Sequence, residues 1–220
     1  MRKEIKFEID REEFININNT LDKISNNNQT IIKKEEYNVK TVYFENIYNS
    51  ILQENIDGKQ YREKYRIRMY NNNLNDLFLE KKIKKDNNVF KYRERITERD
   101  VINIYEDKID NFINETKLKK DFYLNVKTKL LRPRIIVYYD RVAFEHYLTN
   151  YRITLDSNIS KNNEINDFLK ENKNTSNINK YILEVKYEDF IPKHIWDLLK
   201  IHVQRQKISK YVTMRLSKWA

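Results

Sequence analysis

Polar and apolar residues alternate along several stretches of this chain, and the polar positions of these stretches are charged. Arg66 and Arg68 lie two residues apart in YREKYRIRMY, and Glu80 and Lys82 have the same spacing in LFLEKKI. Because residues i and i+2 of a β-strand point to the same face of a sheet, these stretches predict strands with one charged and one apolar face. Two further stretches share the pattern: YRITLD with Arg152 and Asp156, and YILEVKY with Glu184 and Lys186.

Alternation and polar breaks along the whole chain predict about eight strands, with helices in the connections. The strands are predicted at Lys3–Glu8, Val39–Phe44, Tyr61–Tyr70, Leu77–Lys84, Val89–Ile96, Ile135–Arg141, Tyr151–Asp156 and Tyr181–Tyr187. Helical spacing predicts helices after Asp10, at Tyr48–Asn55, across Glu98–Leu130 and from Pro192 to about Val203, whereas Lys207–Trp219 fits a helix or an extended segment.

Most of these strands follow one another in meander order, which favours a closed antiparallel arrangement. We therefore expect an α+β fold of mainly antiparallel β-structure, an about eight-stranded closed tunnel barrel with helices packed outside. No long linker, repeat or Pro/Gly-rich break divides the sequence, so residues 1–220 are expected to form a single domain.

The phase of the charged positions predicts where charge lies in this barrel. Apolar residues of the same strands, such as Ile67, Leu79 and Leu183, would face the covering helices. The charged positions would then share the interior: Arg66, Arg68, Glu80, Lys82, Arg152 and Glu184. Buried charge without a partner is costly, so an interior of this kind needs a polyanion such as a phosphate chain to occupy it.

Any single charged pair in a strand also fits an ordinary solvated face. KYRER, with Arg93 and Arg95, is interpreted in this way. Six lysines are likewise expected on the solvated surface: Lys33, Lys34, Lys84, Lys85, Lys119 and Lys120. A charged interior is therefore indicated by several pairs that occur in matching phase, and not by any one of them.

The amino-acid composition restricts which partners and which kinds of functional site the chain can have. The 220 residues include 43 Lys and Arg against 33 Asp and Glu, a formal net charge of +10 that favours a negatively charged partner. The absence of Cys excludes disulfides and thiolate chemistry, and one Gly cannot supply a P-loop or a GxGxxG motif. The start of the chain does not resemble a signal peptide, and no apolar run approaches the roughly 20 residues of a membrane helix. A cytoplasmic location is expected, at the inner face of a membrane only through a partner.

Ordered segments from one end of the chain to the other resemble a known family. They are RKEIKF, VYFEN, YRIRMY, LEKK, YYDRVAF, RITLD, LEVKY and KISKY. In this order they resemble the polyphosphate polymerase domain of the vacuolar transporter chaperone (VTC) type, one of the triphosphate tunnel metalloenzymes related to CYTH domains. The resemblance implies an eight-stranded antiparallel tunnel that holds a triphosphate or polyphosphate chain with basic residues and one metal-binding glutamate.

Roles for individual residues follow from that resemblance. Glu184 would hold Mn²⁺ or Mg²⁺. Five cations would act directly on the reacting phosphates: Arg66, Arg68, Lys82, Arg141 and Arg152. Seven residues would bind substrate: Lys6, Lys91, Tyr139, Lys186, Lys207, Ser209 and Lys210. ATP and inorganic polyphosphate are the implied partners, a membrane-embedded partner would lie outside this chain, and nucleic acid is not expected.

The residue types suit phosphoryl transfer, which needs positioning and charge neutralisation more than covalent help from the protein. The same tunnel also leaves other activities open: a metal-dependent triphosphatase acting on a nucleotide, tripolyphosphate or RNA 5′ end, or an adenylyl cyclase. Relatives of those classes often open with E-x-E-x-K. Here Arg2 stands at the first acidic position, before Glu4 and Lys6, which favours the polymerase branch. A non-catalytic polyphosphate or nucleic-acid binding module is the remaining alternative.

Overall fold

The computed structural model of the chain describes residues 3–27, 31–33, 36–86, 88–146, 151–171, 175–188, 193–199 and 208–217. Its strands are β1 (Lys3–Ile9), β2 (Ile31–Lys33), β3 (Tyr37–Glu45), β4 (Tyr61–Tyr70), β5 (Leu77–Lys85), β6 (Asn88–Arg95), β7 (Arg132–His146), β8 (Arg152–Asn162), β9 (Ser176–Asn177) and β10 (Tyr181–Tyr187). Its helices are α1 (Arg11–Asn27), α2 (Ser50–Ile56), α3 (Glu98–Tyr105), α4 (Lys117–Lys129), α5 (Lys193–Leu199) and α6 (Lys210–Leu216), with 3₁₀ turns at Asp110–Asn114 and Ile165–Asp167.

The chain folds into two compact units. The first unit comprises Met1–Asn38, Tyr139–Ile159 and Asn177–Ser209. The second unit comprises Val39–Tyr138, Ser160–Ser176 and Lys210–Ala220. Hydrogen-bonded strands follow the order β1-β10-β8-β7 in the first unit and β7-β3-β4-β5-β6 in the second. Strand β7 occurs in both orders because one half of it belongs to each unit.

In the first unit, helix α1 covers one face of the antiparallel strands β1, β10 and β8. Asp10 and Glu13 form a reciprocal capping box at the start of α1: the amide of Glu13 donates to Oδ1 of Asp10 at 2.8 Å, and the amide of Asp10 donates to Oε2 of Glu13 at 3.0 Å. Ile17 and Leu21 of α1 then pack on Leu183 in the apolar core. The helix predicted after Asp10 is confirmed.

In the second unit, β3, β4, β5 and β6 form an antiparallel meander. Phe122 of α4 packs edge-on against Phe44 and Tyr65, with ring centroids 5.0 and 5.4 Å apart. Lys81, on the same side of the sheet, lies 2.6 Å from Asp121 of α4. One face of this meander is therefore covered by a helix and closed by aromatic and ionic contacts, which leaves charged positions on the other.

The predicted fold class, α+β with mainly antiparallel strands and helices packed outside, is confirmed. Eight strands lie on the hydrogen-bonded path from β1 to β6, and the closure of these strands into a barrel stays a prediction. The apolar positions chosen from the alternation are buried, including Ile67, Leu79 and Leu183. No helix in the described ranges is long and apolar enough to cross a membrane.

The stretch Glu98–Leu130, which was predicted to be helical, contains two α-helices and a 3₁₀ turn and is not one continuous helix. Thr97 caps α3 in a box with Asp100, and Thr116 accepts a hydrogen bond from the amide of Lys119 to cap α4. Each new cap starts a new helix because it satisfies amides that have no partner within the helix. Lys119, expected on the surface, is buried between Asp100 and Glu115, at 3.3 and 2.6 Å.

The ends of the other elements differ less from the prediction. Strand β7 extends on both sides of Ile135–Arg141, and β8 continues beyond Asp156 to Asn162. The C-terminal stretch is helical over Lys210–Leu216. The predicted continuation of α5 to Val203 lies outside the described residues.

Candidate phosphate-binding and metal-binding residues

Glu80 is the centre of an ion-pair cluster in the second unit. The register places it opposite Arg66 on β4 and Arg93 on β6. Nε and Nη2 of Arg66 both lie 2.6 Å from Oε2 of Glu80, while Nη1 of Arg68 is 3.9 Å from the same oxygen. Burial raises the pKa of Glu80, but the charges of Arg66 and Arg68 outweigh burial, so this pKa lies below its ordinary value.

The same sheet face continues as a broad cationic surface. Lys64, Lys82 and Lys91 stand side by side across β4, β5 and β6. Arg93, expected on a solvated face, also contacts this cluster, with Nε 3.6 Å from Oε1 of Glu80. We name this surface the cationic face and define it by Arg62, Lys64, Arg66, Arg68, Glu80, Lys82, Lys84, Lys91, Arg93 and Arg95. Glu80 is the one acid among these residues.

Tyr43 is a member of this site that the sequence prediction missed. It is the strand partner of Arg66, only 5% exposed, and it shares a hydrogen bond with that arginine. Burial raises the pKa of Tyr43, but the charges of Arg66, Arg68 and Lys210 outweigh burial and bring this pKa below its ordinary value. A hydroxyl held among three cations can donate to a bound phosphate oxygen.

Lys210 reaches Tyr43 because a buried carboxylate anchors helix α6. Oε2 of Glu45 accepts a hydrogen bond from the hydroxyl of Tyr211 at 2.5 Å, and it also accepts the amide of Leu52 at 2.8 Å. The ring of Tyr211 packs against that of Tyr43, with centroids 5.2 Å apart. Tyr43 and Glu45 both belong to the segment VYFEN, so this motif positions one end of the cationic face.

In the first unit, acids and cations alternate around Glu184. The register pairs Lys6 with Glu184 and Glu4 with Lys186 across β1 and β10. Nζ of Lys6 lies 2.8 Å from Oε1 of Glu4 and 3.7 Å from Oε2 of Glu184, and Nζ of Lys186 contacts Oε1 of Glu184. Burial lowers the pKa of Lys6, yet Glu184 and Glu4 raise it above its ordinary value, whereas burial prevails for Lys186 and lowers its pKa.

Arg141 is fixed by a carboxylate with no exposed surface. Its Nε donates to Oδ1 of Asp156 at 2.5 Å and its Nη2 donates to Oδ2 at 2.7 Å. The guanidinium also lies 5.1 Å from the ring centroid of Tyr139, and its Nη2 is 4.0 Å from Oε2 of Glu184. This bidentate pair holds the Y-x-R element rigidly beside the candidate metal ligand.

Arg152 lies on the same face, at the side of the cluster. Its Nη2 donates to the hydroxyl of Tyr37 at 2.9 Å, and its Nη1 is 3.4 Å from Glu145. The first-unit group around Glu184 is named the mixed face and defined by Glu4, Lys6, Tyr139, Arg141, Glu145, Arg152, Thr154, Asp156, Glu184 and Lys186.

Two predicted substrate-binding residues are not members of the mixed face. Ser209 is half-buried in the first unit, and Lys207 lies outside the described residues.

The oxygen atoms around Glu184 decide whether the mixed face fits a metal. No group of three His, Cys, Asp or Glu side chains that could hold a metal ion is found in the described residues. Oγ1 of Thr154, whose strand partner is Glu184, is buried and has no hydrogen-bond partner within the described part of the chain. Glu184, Glu4 and Thr154 thus offer hard oxygen donors that fit Mg²⁺ or Mn²⁺ when substrate phosphates complete the coordination. Glu4 was not among the predicted site residues.

Solved structures share this fold at low sequence identity. A putative adenylyl cyclase from Hippeastrum, described as having a dominant triphosphatase activity, matches with a TM-score of 0.59 and 12% identity, over 98% of this chain and 95% of its own. A putative adenylate cyclase from Bacillus halodurans matches with a TM-score of 0.54 and 10% identity, over 94% of this chain and 95% of its own. The chain therefore shares its fold with these two solved structures.

Sequence comparison identifies the family. No significant match was found among curated proteins. The profile of the VTC domain matches residues 1–217, which is nearly the whole chain. The charged strands described above all lie inside this match. The chain therefore belongs to the VTC domain family.

Proposed function

We propose that this chain is a metal-dependent polyphosphate polymerase that transfers the γ-phosphoryl group of ATP to a growing inorganic polyphosphate chain. Family membership and fold support a function that involves triphosphates. The observation that carries the proposal further is the cationic face, where Arg66 and Arg68 lie on one strand face beside a row of lysines. An array of fixed guanidinium groups suits a ligand with several phosphates in a line.

In the proposed reaction an oxygen of the terminal phosphate of the polyphosphate chain attacks the γ-phosphorus of ATP in line. A new P–O bond forms, the bond between the γ-phosphorus and the β–γ bridging oxygen breaks, and ADP leaves with that oxygen. Arg66, Arg68 and Lys82 bind the phosphates of the nucleotide and neutralise their charge. No protein nucleophile is needed, because catalysis of phosphoryl transfer consists mainly of positioning and electrostatic stabilisation.

The residues of the mixed face have two tasks in this scheme. Glu184 and Glu4 would hold Mn²⁺ or Mg²⁺, which supplies charge neutralisation at the phosphoryl oxygens when bound. Arg141, oriented by Asp156, and Lys6 bind phosphate oxygens near that carboxylate pair. The proposed location is the cytoplasm, and a membrane-embedded partner outside this chain would be needed to hold it at the inner face of a membrane.

A triphosphatase is the second candidate, since the Hippeastrum protein with the same fold is described as having that activity. It would use the same residues and differ only in the acceptor, which would be water. A binding module without catalysis would bind polyphosphate and turn over no nucleotide. An RNA-binding module would contact phosphates through many surface cations and would lose affinity steeply with salt.

Product analysis separates these candidates. The purified protein is incubated with ATP and Mn²⁺, and the products are resolved. Polyphosphate with ADP supports the polymerase, inorganic phosphate with ADP supports the triphosphatase, and cyclic AMP with pyrophosphate supports a cyclase. Tight binding of polyphosphate without turnover of ATP would support the binding module without catalysis.

Single substitutions test the site in the same assay. Glu184→Gln and Arg66→Ala should each abolish turnover at a temperature at which the far-UV circular dichroism spectrum shows that the variant is still folded. Two exposed residues in ion pairs supply matched controls: Glu106→Gln, which lies beside Lys108, and Arg132→Ala, which lies beside Asp107. If both site variants remain fully active, the proposed site is wrong.

A further inference from the structure

Two aromatic side chains stand among the cations of the second unit. Tyr70 ends β4 and Phe78 lies next to the start of β5, opposite Arg68 in the register. Their rings meet edge to face, with centroids 6.1 Å apart, and both side chains are half-buried. The apolar core of this unit lies on the opposite face, under α4, so core packing does not account for an aromatic pair at this place.

Guanidinium groups surround this pair. The guanidinium carbon of Arg93 lies 3.6 Å from the ring centroid of Phe78 and 5.3 Å from that of Tyr70. Arg68 lies 5.9 Å from the Tyr70 centroid, and Arg95 lies 5.5 Å from the Phe78 centroid. The Arg93 side chain keeps 46% of its surface exposed, so its plane remains open to a ligand. Aromatic rings and guanidinium planes are the groups on which nucleobases stack.

The position of the aromatic pair relative to the phosphate-binding arginines fits a nucleotide. Phe78 faces Arg68 directly, and Arg66 lies two residues farther along β4, or about 7 Å at the rise of a β-strand. Tyr70 lies the same distance beyond Arg68 in the other direction. A nucleoside triphosphate bound along β4 with its phosphates at Arg66 and Arg68 would therefore place its base end near Tyr70 and Phe78.

We propose that Tyr70, Phe78 and Arg93 form a stacking site for the nucleobase of the nucleotide substrate. The inference rests on the proposed function and deepens it, because it assigns the part of the substrate that a bare phosphate chain lacks. Stacking engages the flat face that every base has, so this site favours nucleotides over tripolyphosphate without selecting strongly among bases.

Binding of two ligands tests the proposal. Isothermal titration calorimetry measures the affinities of ATP and of tripolyphosphate, both without metal, for the unchanged protein and for Phe78→Ala. Loss of one base–aromatic stack should weaken ATP binding by about 5- to 150-fold. Tripolyphosphate binding should stay within about twofold, because the variant removes no phosphate contact. Arg66→Ala should weaken both ligands together.

Further variants separate stacking from stability. Phe78→Leu and Tyr70→Leu keep an apolar side chain at each position but remove the ring, and each should reproduce the selective loss of ATP affinity. Phe90→Ala is the matched control, because Phe90 is exposed on the other face of the neighbouring strand β6. It should change neither affinity.

Each outcome decides between the two proposals. ATP affinities that stay unchanged in the Phe78 and Tyr70 variants would overturn the stacking site while the phosphate site stands. Equal losses for both ligands would also overturn it, since the aromatic pair would then only support the arginines. Failure of the unchanged protein to bind either ligand would overturn the stacking site and the proposed function together.

Discussion

The cationic face and the mixed face are built from the same strand alternation but hold opposite balances of charge. On the mixed face each buried acid contacts a cation, as Glu184 does with Lys186 and Asp156 with Arg141. On the cationic face Glu80 is the one acid among many arginines and lysines. The first arrangement offers both carboxylate oxygens and cations, whereas the second offers almost only cations.

This difference indicates a division of work. A surface with excess positive charge gains by binding a polyanion, because phosphates replace repulsion among cations with ion pairs. A balanced surface is already neutralised, and its carboxylates can instead hold a divalent cation beside phosphates. The proposed function needs both kinds of surface, and each unit supplies one of them.

Removal of an acid from the mixed face should have the largest effect on stability. Asp156→Asn leaves Arg141 buried with its bidentate partner weakened, and loss of one partner of a buried pair costs about 3–5 kcal/mol. Urea unfolding monitored by circular dichroism measures the change in the free energy of unfolding. The matched control is Asp76→Asn. Asp76 lies 3.2 Å from the exposed side chain of Arg95, and loss of this surface ion pair should cost at most about 1 kcal/mol. Equal costs for the two substitutions would contradict the difference in burial.

Removal of the acid from the cationic face should cost less and should depend on pH. The folded-state pKa of Glu80 lies below its ordinary value of 4.5, so the stability it contributes is present above that value and is lost as pH falls through the lower folded pKa. Glu80→Gln should therefore lower the free energy of unfolding by about 1.5–3 kcal/mol at pH 7. The gap to the unchanged protein should narrow below about pH 4.5 in pH-dependent urea unfolding.

The same substitution also tests the charge balance. Because Glu80→Gln removes a negative charge next to Arg66 and Arg68, tripolyphosphate binding at pH 7 should be retained or become tighter. A constant stability gap down to pH 2, or a large loss of tripolyphosphate affinity, would show that Glu80 does not act through its charge.

Tyr43→Phe should have the smallest effect. Tyr43 would be one donor among several cations that already bind the phosphates, and a typical net hydrogen bond is worth about 0.5–1.5 kcal/mol, so tripolyphosphate affinity at pH 7 should fall about 2- to 12-fold. An ionised tyrosine repels phosphate, and the pKa of Tyr43 is lowered, so affinity in the unchanged protein should begin to fall at a pH below the ordinary tyrosine value of 10.

When tripolyphosphate affinity is measured as a function of pH, Tyr43→Phe should lack the decline that ionisation of Tyr43 causes in the unchanged protein. Tyr92→Phe, at an exposed position of β6, serves as the control and should keep the profile of the unchanged protein. Identical profiles for all three proteins would remove Tyr43 from the site.

The faces of the strands could be predicted from the sequence, because period-two alternation alone separates Leu183 from Glu184 and Ile67 from Arg66. The distribution of acids could not, since it depends on the register between paired strands. Glu4 meets Lys186 on a strand far away in the chain, and Glu80 meets Arg93 across a hairpin whose register the alternation alone does not fix.

Other errors had a local signal. Thr116 is a residue type preferred at the N-cap position, which indicated a new helix start inside the stretch Glu98–Leu130. Lys119 lies four residues after Glu115, a spacing that pairs side chains on a helix. The burial of Glu45 had no such signal, because its partners Leu52 and Tyr211 are brought to it by two different helices.

The cationic face and the mixed face are expected to do different work, and binding of tripolyphosphate with and without Mn²⁺ tests this division most directly. Calorimetry of Arg66→Ala should show tripolyphosphate affinity reduced by about 10- to 150-fold in both conditions, because the variant loses hydrogen bonds to a charged group. Glu184→Gln should bind tripolyphosphate without metal as well as the unchanged protein does, and should lose only the increase that Mn²⁺ brings. A loss of metal-free binding in Glu184→Gln as large as that in Arg66→Ala would contradict the division.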